Sequence, residues 1–337
     1  MRIGLRLPPC ARADELAQMA ADAERVGFDE VWFPDSQLLW RDVFSVAAVT
    51  ALKTSRITIG TAVTNVVTRH PSVVASAART VAELAPGRFT LGVGIGDSAV
   101  RQAGLRQSRG AELREGVGTI RALLAGETLA FGAIESHLRD PRVVPIQMAA
   151  SGPRNLALAG EIADGVILLS GAAPALVRQA IARVRAGAEM AGRGPVPITV
   201  SAYCRITDDV ERDARELKPI CMRIAANGAG GALAAAGVEI TVPDPLPDVY
   251  PDLVHAEDHA AAVTACDPFV SDAAAHAFAR EFCLFGTSAE IVSGIQKIAA
   301  AGADAVQLQH VGSYDLPGGL LCDVGDAVLP AAHAAAP

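Results

Sequence analysis

The chain has 337 residues, 51% of them hydrophobic and 20% charged, with a formal net charge of −8. So apolar a sequence can bury a large core, which excludes intrinsic disorder, and its acidity leaves no basic footprint for nucleic acid or an anionic membrane. No apolar run reaches the ~18 residues of a membrane span, and the N-terminus lacks the pattern of a signal peptide.

Six cysteines, at positions 10, 204, 221, 266, 283 and 322, stand far apart with no C-x-x-C pair. That excludes a zinc ribbon and a thioredoxin-type motif, and it fits free thiols in a cytoplasmic protein.

Short apolar runs alternate with helical stretches along the chain. Strands are expected at 3–7, 30–33, 56–63, 88–93, 144–150, 165–169, 196–203 and 304–309. Helices are expected at 14–26, 43–52, 71–84, 111–125, from 151 to about 163, and at 174–191, with Gly27 and Gly126 as stops and Pro71 as a first-turn residue. Eight such units predict a (β/α)8 TIM barrel, not an open sheet. About 100 residues separate the seventh and eighth strands, too many for an ordinary connection. They hold helical patterns at 208–226, 270–281 and 287–301 and a proline-rich piece at 242–251. The reading is one barrel domain over 1–330, a helical insertion at about 208–285, and a frayed tail at 331–337.

Barrel sites form where strands end, so the loops after the strands are where chemistry is expected. After strand 1, Arg6 shares a face with Gly4. It is either an inward guanidinium that attracts an anion or one half of a structural ion pair. After strand 2 come Asp35, suited to orienting a ring or handling a proton, Trp40, and Asp42, which reads as a helix cap. After strand 3, Asn65 can bond an amide or carbonyl edge, while His70 either caps the helix at Pro71 or donates a proton. After strand 4, Gly92, Gly94 and Gly96 miss the dinucleotide fingerprint G-x-G-x-x-G, since the third glycine is one residue early, yet they let a flat ligand approach. Asp97 stands at that rim. After strand 5, Ser151-Gly152-Pro153-Arg154-Asn155 opens a helix whose free N–H groups suit a phosphate, or a plain Ser cap. His255, His259, His276 and His333 show no metal-ligand spacing, and no G-x-S-x-G elbow occurs.

Taken in order, several stretches resemble the bacterial luciferase-like superfamily, in its coenzyme F420-dependent branch. They are GFDEVWFPDS (27–36), GTAVTN (60–65), TRHP (68–71), PGRFTLGVGIGDS (86–98), ASGP (150–153) with ADGV (163–166), DLVHAED (252–258) and FCLFGT (282–287). The resemblance spans roughly residues 1–316. It implies F420 as cofactor and hydride transfer to or from a small organic substrate. It also implies cofactor contacts by Asp35, Asn65, Ile95, Gly96 and Val100, a non-prolyl cis peptide at Ala62–Val63, a phosphate cradle of Ser151, Gly152, Arg154 and Asn155, and Asp97 for proton transfer with His70 second. Arg6 and Trp40 are the expected substrate contacts. A homodimer is usual for the family.

Two departures narrow the substrate. The family's sugar-phosphate dehydrogenase has His beside the strand-2 Asp where Ser36 stands here. Its methylenetetrahydromethanopterin reductase has Glu where Arg6 stands, so a substrate with an acidic group suits this chain better. The alternatives are an FMN-dependent monooxygenase, which would need a flavin reductase partner, and a non-catalytic (deaza)flavin-binding protein. No metal is expected.

Overall fold

Eight parallel strands close on one another in a computed structural model that describes residues 1–334. They are β1 (Arg2–Arg6), β2 (Glu30–Phe33), β3 (Thr58–Thr61), β4 (Phe89–Gly94), β5 (Ile146–Ala150), β6 (Gly165–Leu168), β7 (Ile198–Ile206) and β8 (Ala305–Gln309). Neighbours pair in chain order, and β8 returns to β1 through Arg2↔Ala305 to Leu5↔Leu308. The expected TIM barrel is therefore the observed fold, with its helices packed outside.

The strands read as apolar runs because both faces are covered. Ile3, Leu5, Ile59, Leu91, Ile146, Val166, Val200 and Val306 are all buried in one core shared with the helices. Inside the barrel, Trp32 is fully buried, and its Nε1 donates to Glu30 Oε2 at 2.9 Å. A methyl group on Gly60 would lie 2.2 Å from that indole, so a side-chain-free position there makes room for the plug. Glu30 meets Arg2 at 3.0 Å, beneath the plug.

The expected third strand is shorter than 56–63. It stops at Thr61 because the Ala62–Val63 peptide is cis, as the resemblance implied, and it resumes at Thr64–Asn65 against β4. A small antiparallel hairpin, Leu129–Phe131 with Ile134–Ser136, was not expected. Nor was the last barrel helix, Gly318–Ala327. The short helix Leu329–Ala334 takes up the start of the expected frayed tail, and the remainder of that tail, 335–337, lies outside the described residues.

Between β7 and the helix Ser288–Ala300 the chain builds a lid with its own apolar cluster around Leu217, Ile220, Met222, Leu233 and Phe278. The pattern at 208–226 is several turns, not one helix: Val210–Asp213, a 3₁₀ turn at Ala214–Leu217, and Lys218–Ile224 with Pro219 in its first turn. Lys218 is buried and ties two segments together, reaching Asp267 at 2.5 Å and Asp272 at 2.6 Å. Thr287 and Glu290 cap the return helix reciprocally, which fixes where the insertion ends.

Candidate active site

A cavity of about 400 Å³ opens at the C-terminal ends of the strands, beneath the insertion. Arg6, Asp35, Trp40, Ala62, Val63, Asn65, Ile95, Gly96, Asp97 and Ser151, among the expected residues, line it.

The β2–β4 side is a smooth wall. The cis peptide turns the chain so that Val63 packs against Gly94, where a methyl group would lie 2.7 Å from Val63 Cγ2. Gly96 has φ +83°, and a side chain there would meet Val100 Cγ2 at 2.3 Å. Val100 is thus fully buried behind the wall, supporting Gly96 without facing the cavity. The carbonyl of Ile95 is taken by Ser108, from its N at 3.0 Å and its Oγ at 3.1 Å.

Asp35 is buried and held in place. Arg69 grips it in a fork at 3.0 and 3.2 Å, and Thr64 Oγ1 donates at 2.7 Å. Arg69 also reaches Asp42 at 2.7 Å, and Asp42 caps the next helix through Ser45 N, the role expected of it. Asn65 Oδ1 accepts from Val67 N, Thr68 N and Thr68 Oγ1 at 2.8–3.1 Å. Its Nδ2 is buried with no partner. A buried donor without an acceptor is costly, so this amide is built to meet something in the cavity.

Asp97 has its Oδ1 occupied by Arg101 at 2.8 Å and by Arg223 at 3.1 Å. Arg223 comes from the insertion, so the pair latches the lid to the β4 loop. His70 takes the capping alternative of the two read from the sequence. Its ring lies outside the cavity, where it caps the helix Pro71–Leu84 through Ser72 and packs 5.8 Å from Phe131. The capping geometry follows from Pro71 in the first turn, which puts the preceding side chain over free N–H groups. Of the expected cradle, Ser151 lines the cavity at the start of the helix Pro153–Ile162, whereas Gly152, Arg154 and Asn155 lie beyond its lining.

The opposite side, from β7, β8 and β1, is polar. Pairing places Gly4, Gln307 and Ser201 in one layer, with Tyr203 and Gln309 one layer above. Alternation brings Arg6 to that upper layer. Ser201 Oγ bonds Gln307 Oε1 at 2.9 Å, and Gln307 Nε2 has no partner. The Arg6 guanidinium stands 5.7 Å from the centre of the Trp40 ring. Trp40 is fixed by its Nε1 donating to the Ser313 carbonyl at 2.7 Å.

Sequence reasoning missed His255. It is buried, lines the cavity, and meets Trp40 edge-on with ring centres 5.3 Å apart. Its Nδ1 pairs with Asp252 at 2.9 Å, leaving Nε2 without a partner among the described residues. Burial pushes Asp252 up, but the bonds from His255 outweigh it and hold the carboxyl well below its ordinary range. A carboxylate on Nδ1 fixes ring orientation and tautomer, the arrangement of a proton-handling histidine. Tyr203, on the same side, is pushed up to about 12 by burial, with Arg6 opposing. Among the described residues no group of three or more His, Cys, Asp or Glu side chains could hold a metal ion, and no helix is long and apolar enough to cross a membrane.

Comparison with known proteins agrees with this architecture. The chain is 35% identical over 227 residues to a 5,10-methylenetetrahydromethanopterin reductase of Methanolobus tindarius, a match covering 65% of this chain and 68% of that protein. It is 35% identical over 222 residues to an F420-dependent glucose-6-phosphate dehydrogenase of Nakamurella multipartita, covering 59% of this chain and 65% of that one. These matches span about two thirds of the relatives' lengths. The solved structure of a coenzyme F420-dependent tetrahydromethanopterin reductase from Methanopyrus kandleri shares the fold, with a TM-score of 0.76 over 98% of both chains at 22% identity. The family model described as luciferase-like monooxygenase matches residues 1–305, and the chain belongs to that family.

Proposed function

We propose that this protein is an F420-dependent oxidoreductase acting on a small organic substrate at the barrel mouth. The observation that carries the reading is Asn65, which lines the cavity and whose buried Nδ2 lacks an acceptor among the described residues, beside a wall stripped of side chains at Gly94 and Gly96. A flat ring with a hydrogen-bonding edge fits that wall and that donor. The two relatives described above carry the names of a methylenetetrahydromethanopterin reductase and an F420-dependent dehydrogenase, which favours a deazaflavin over FMN as the ring.

When bound, F420 would supply a ring carbon that gives or takes a hydride. The protein's own residues do the rest. Ala62, Val63, Gly94, Ile95 and Gly96 would support the ring face, and Asn65 its edge. Asp35, locked by Arg69, holds the segment that carries Asn65 in register. Ser151 and the helix start behind it would face the phosphate end. His255 Nε2 is placed to move a proton to or from a substrate oxygen, with Asp252 keeping the ring aligned. Asp97 serves the lid, closing the insertion over the mouth so that Ile220, Phe278 and Phe282 exclude water. A homodimer, which rests on the sequence resemblance, and a cytoplasmic location, which rests on the free cysteines, complete the reading.

Titration of the purified protein with F420 and, separately, with FMN tests the proposal. Saturable binding of F420 at micromolar levels with FMN at least 100-fold weaker is expected. Tight FMN and negligible F420 binding would instead give the monooxygenase reading. F420 binding without deazaflavin turnover over a broad panel of alcohols, aldehydes, imines and enones would give a carrier.

A further inference from the structure

The charges lining the cavity pair off, except one. Asp35 is matched by Arg69, and Arg101 and Arg223 by Asp97 and Asp252. The Arg6 guanidinium has no acidic partner and no side-chain hydrogen bond among the described residues; it stands over the Trp40 ring and near the neutral Tyr203 phenol. An arginine stays protonated, so the cavity holds one uncompensated positive charge. Two further buried donors of the lining lack a partner among the described residues, Gln307 Nε2 on the neighbouring strand and Arg223 Nε from the insertion. Leaving a buried guanidinium unmet is expensive, and a ligand group with acceptor oxygens resolves it.

Deepening the proposed function, on which it rests for the chemistry, we infer that Arg6 is the anchor for a carboxylate on the substrate and that the reacting compound is a small organic acid. Three observations select this over other anions. The guanidinium fork takes two oxygens of one oxyanion, which fits a carboxylate, and charge and position then separate it from phosphate. One uncompensated charge neutralises a carboxylate but leaves a phosphate dianion half unmet. And β1 lies four strands from β5 in the eight-stranded ring, so Arg6 faces the phosphate-suited helix start at Ser151 from across the barrel. Trp40 presents its ring to the guanidinium at 5.7 Å, and His255, T-shaped against the same indole, stands within the same corner. The acid end and the proton-handling end of a short substrate would thus share one aromatic floor.

Calorimetric titration with acetate, pyruvate and benzoate, each paired with its uncharged amide, tests this on the cofactor-free and the F420-saturated protein. At least one acid is expected to bind, and at least 10-fold more tightly than its amide. Arg6→Gln should lower that affinity about 10- to 100-fold and leave the amide and F420 unchanged, while Arg6→Lys should retain part of it. Melting curves of both variants establish that they fold. Equal binding of acid and amide, no binding by any acid, or an unchanged Arg6→Gln overturns the inference. So does a loss of F420 affinity in Arg6→Gln together with competition by inorganic phosphate, which would assign Arg6 to the cofactor. If acids bind through Arg6 but F420 does not bind at all, the subsite stands and the proposed function fails; the reverse outcome removes the subsite alone.

Discussion

On the β2–β4 side of the cavity Asp35 and Asp97 already have their counter-charges, and the neutral Asn65 amide keeps an open donor. On the β7–β8–β1 side a guanidinium and a carboxamide are left unmet, and a histidine from the insertion has one nitrogen free. The first side is fixed by interlocked backbone and buried ion pairs, so it can select shape and little else. The second keeps unspent polar capacity and can select charge and exchange protons. A cavity divided this way suits one flat, constant ligand and one variable ligand, which is the division of labour between a cofactor and a substrate.

That division can be broken from either side. The largest effect is expected at His255. His255→Gln should lower kcat by about 10²–10⁴-fold, the usual worth of a positioned acid or base, with F420 affinity unchanged. An equal loss of F420 affinity would place the histidine on the wrong side of the comparison. Next is Gly96→Val, which puts a branched side chain at φ +83° and into Val100. F420 affinity should fall about 100-fold. Carboxylate binding to the cofactor-free variant should stay, and its loss would show that the two sides are not separable.

His310, just past β8, offers a pH test of the polar side. Burial and the Arg6 charge push its imidazole down to about 4. Since the unfolded value is near 6.5, this residue's contribution to stability is complete above that pH and is lost as pH falls towards 4, up to about 3 kcal/mol in all. Melting temperature should therefore drop across that window. His310→Leu should remove that part of the drop, and Arg6→Gln should lessen it. The smallest effect is expected at Asp97→Asn. It loosens a half-exposed latch worth at most about 1 kcal/mol, so KM should rise up to about 5-fold with kcat little changed.

The barrel was legible because each strand is a buried run of β-branched and leucine residues between helices that stop at Gly or start at Pro, as at Gly27 and Pro71. Its last helix was not, since Gly318-Gly319 gives no cap signal and two further residues of the ten, Gly325 and Asp326, favour other backbone states. The hairpin at 129–136 hides for another reason. Its strands are three residues long and largely exposed, so no periodicity marks them. In the site, the smooth wall was legible from glycine spacing and resemblance. The roles of Asp97 and His70 were not, because a carboxylate and an imidazole look alike on paper whether they meet a ligand, two arginines or a helix end. His255 was passed over, although it stands in the stretch 252–258, because it has no metal-ligand spacing. Asp252 three residues earlier was the available signal, but only the turn at 252–255 brings the carboxylate to Nδ1. Arg6 stood open between ion pair and anion anchor, and the absence of a carboxylate around it was a tertiary fact.

A crystal structure of the protein with F420 bound tests the central claim most directly. The deazaflavin ring should lie against Ala62–Val63 and Gly94–Gly96, with Asn65 Nδ2 donating to its edge and the Arg6 guanidinium left open to the remaining space. A ring bound elsewhere, or a cofactor phosphate seated on Arg6, would contradict it.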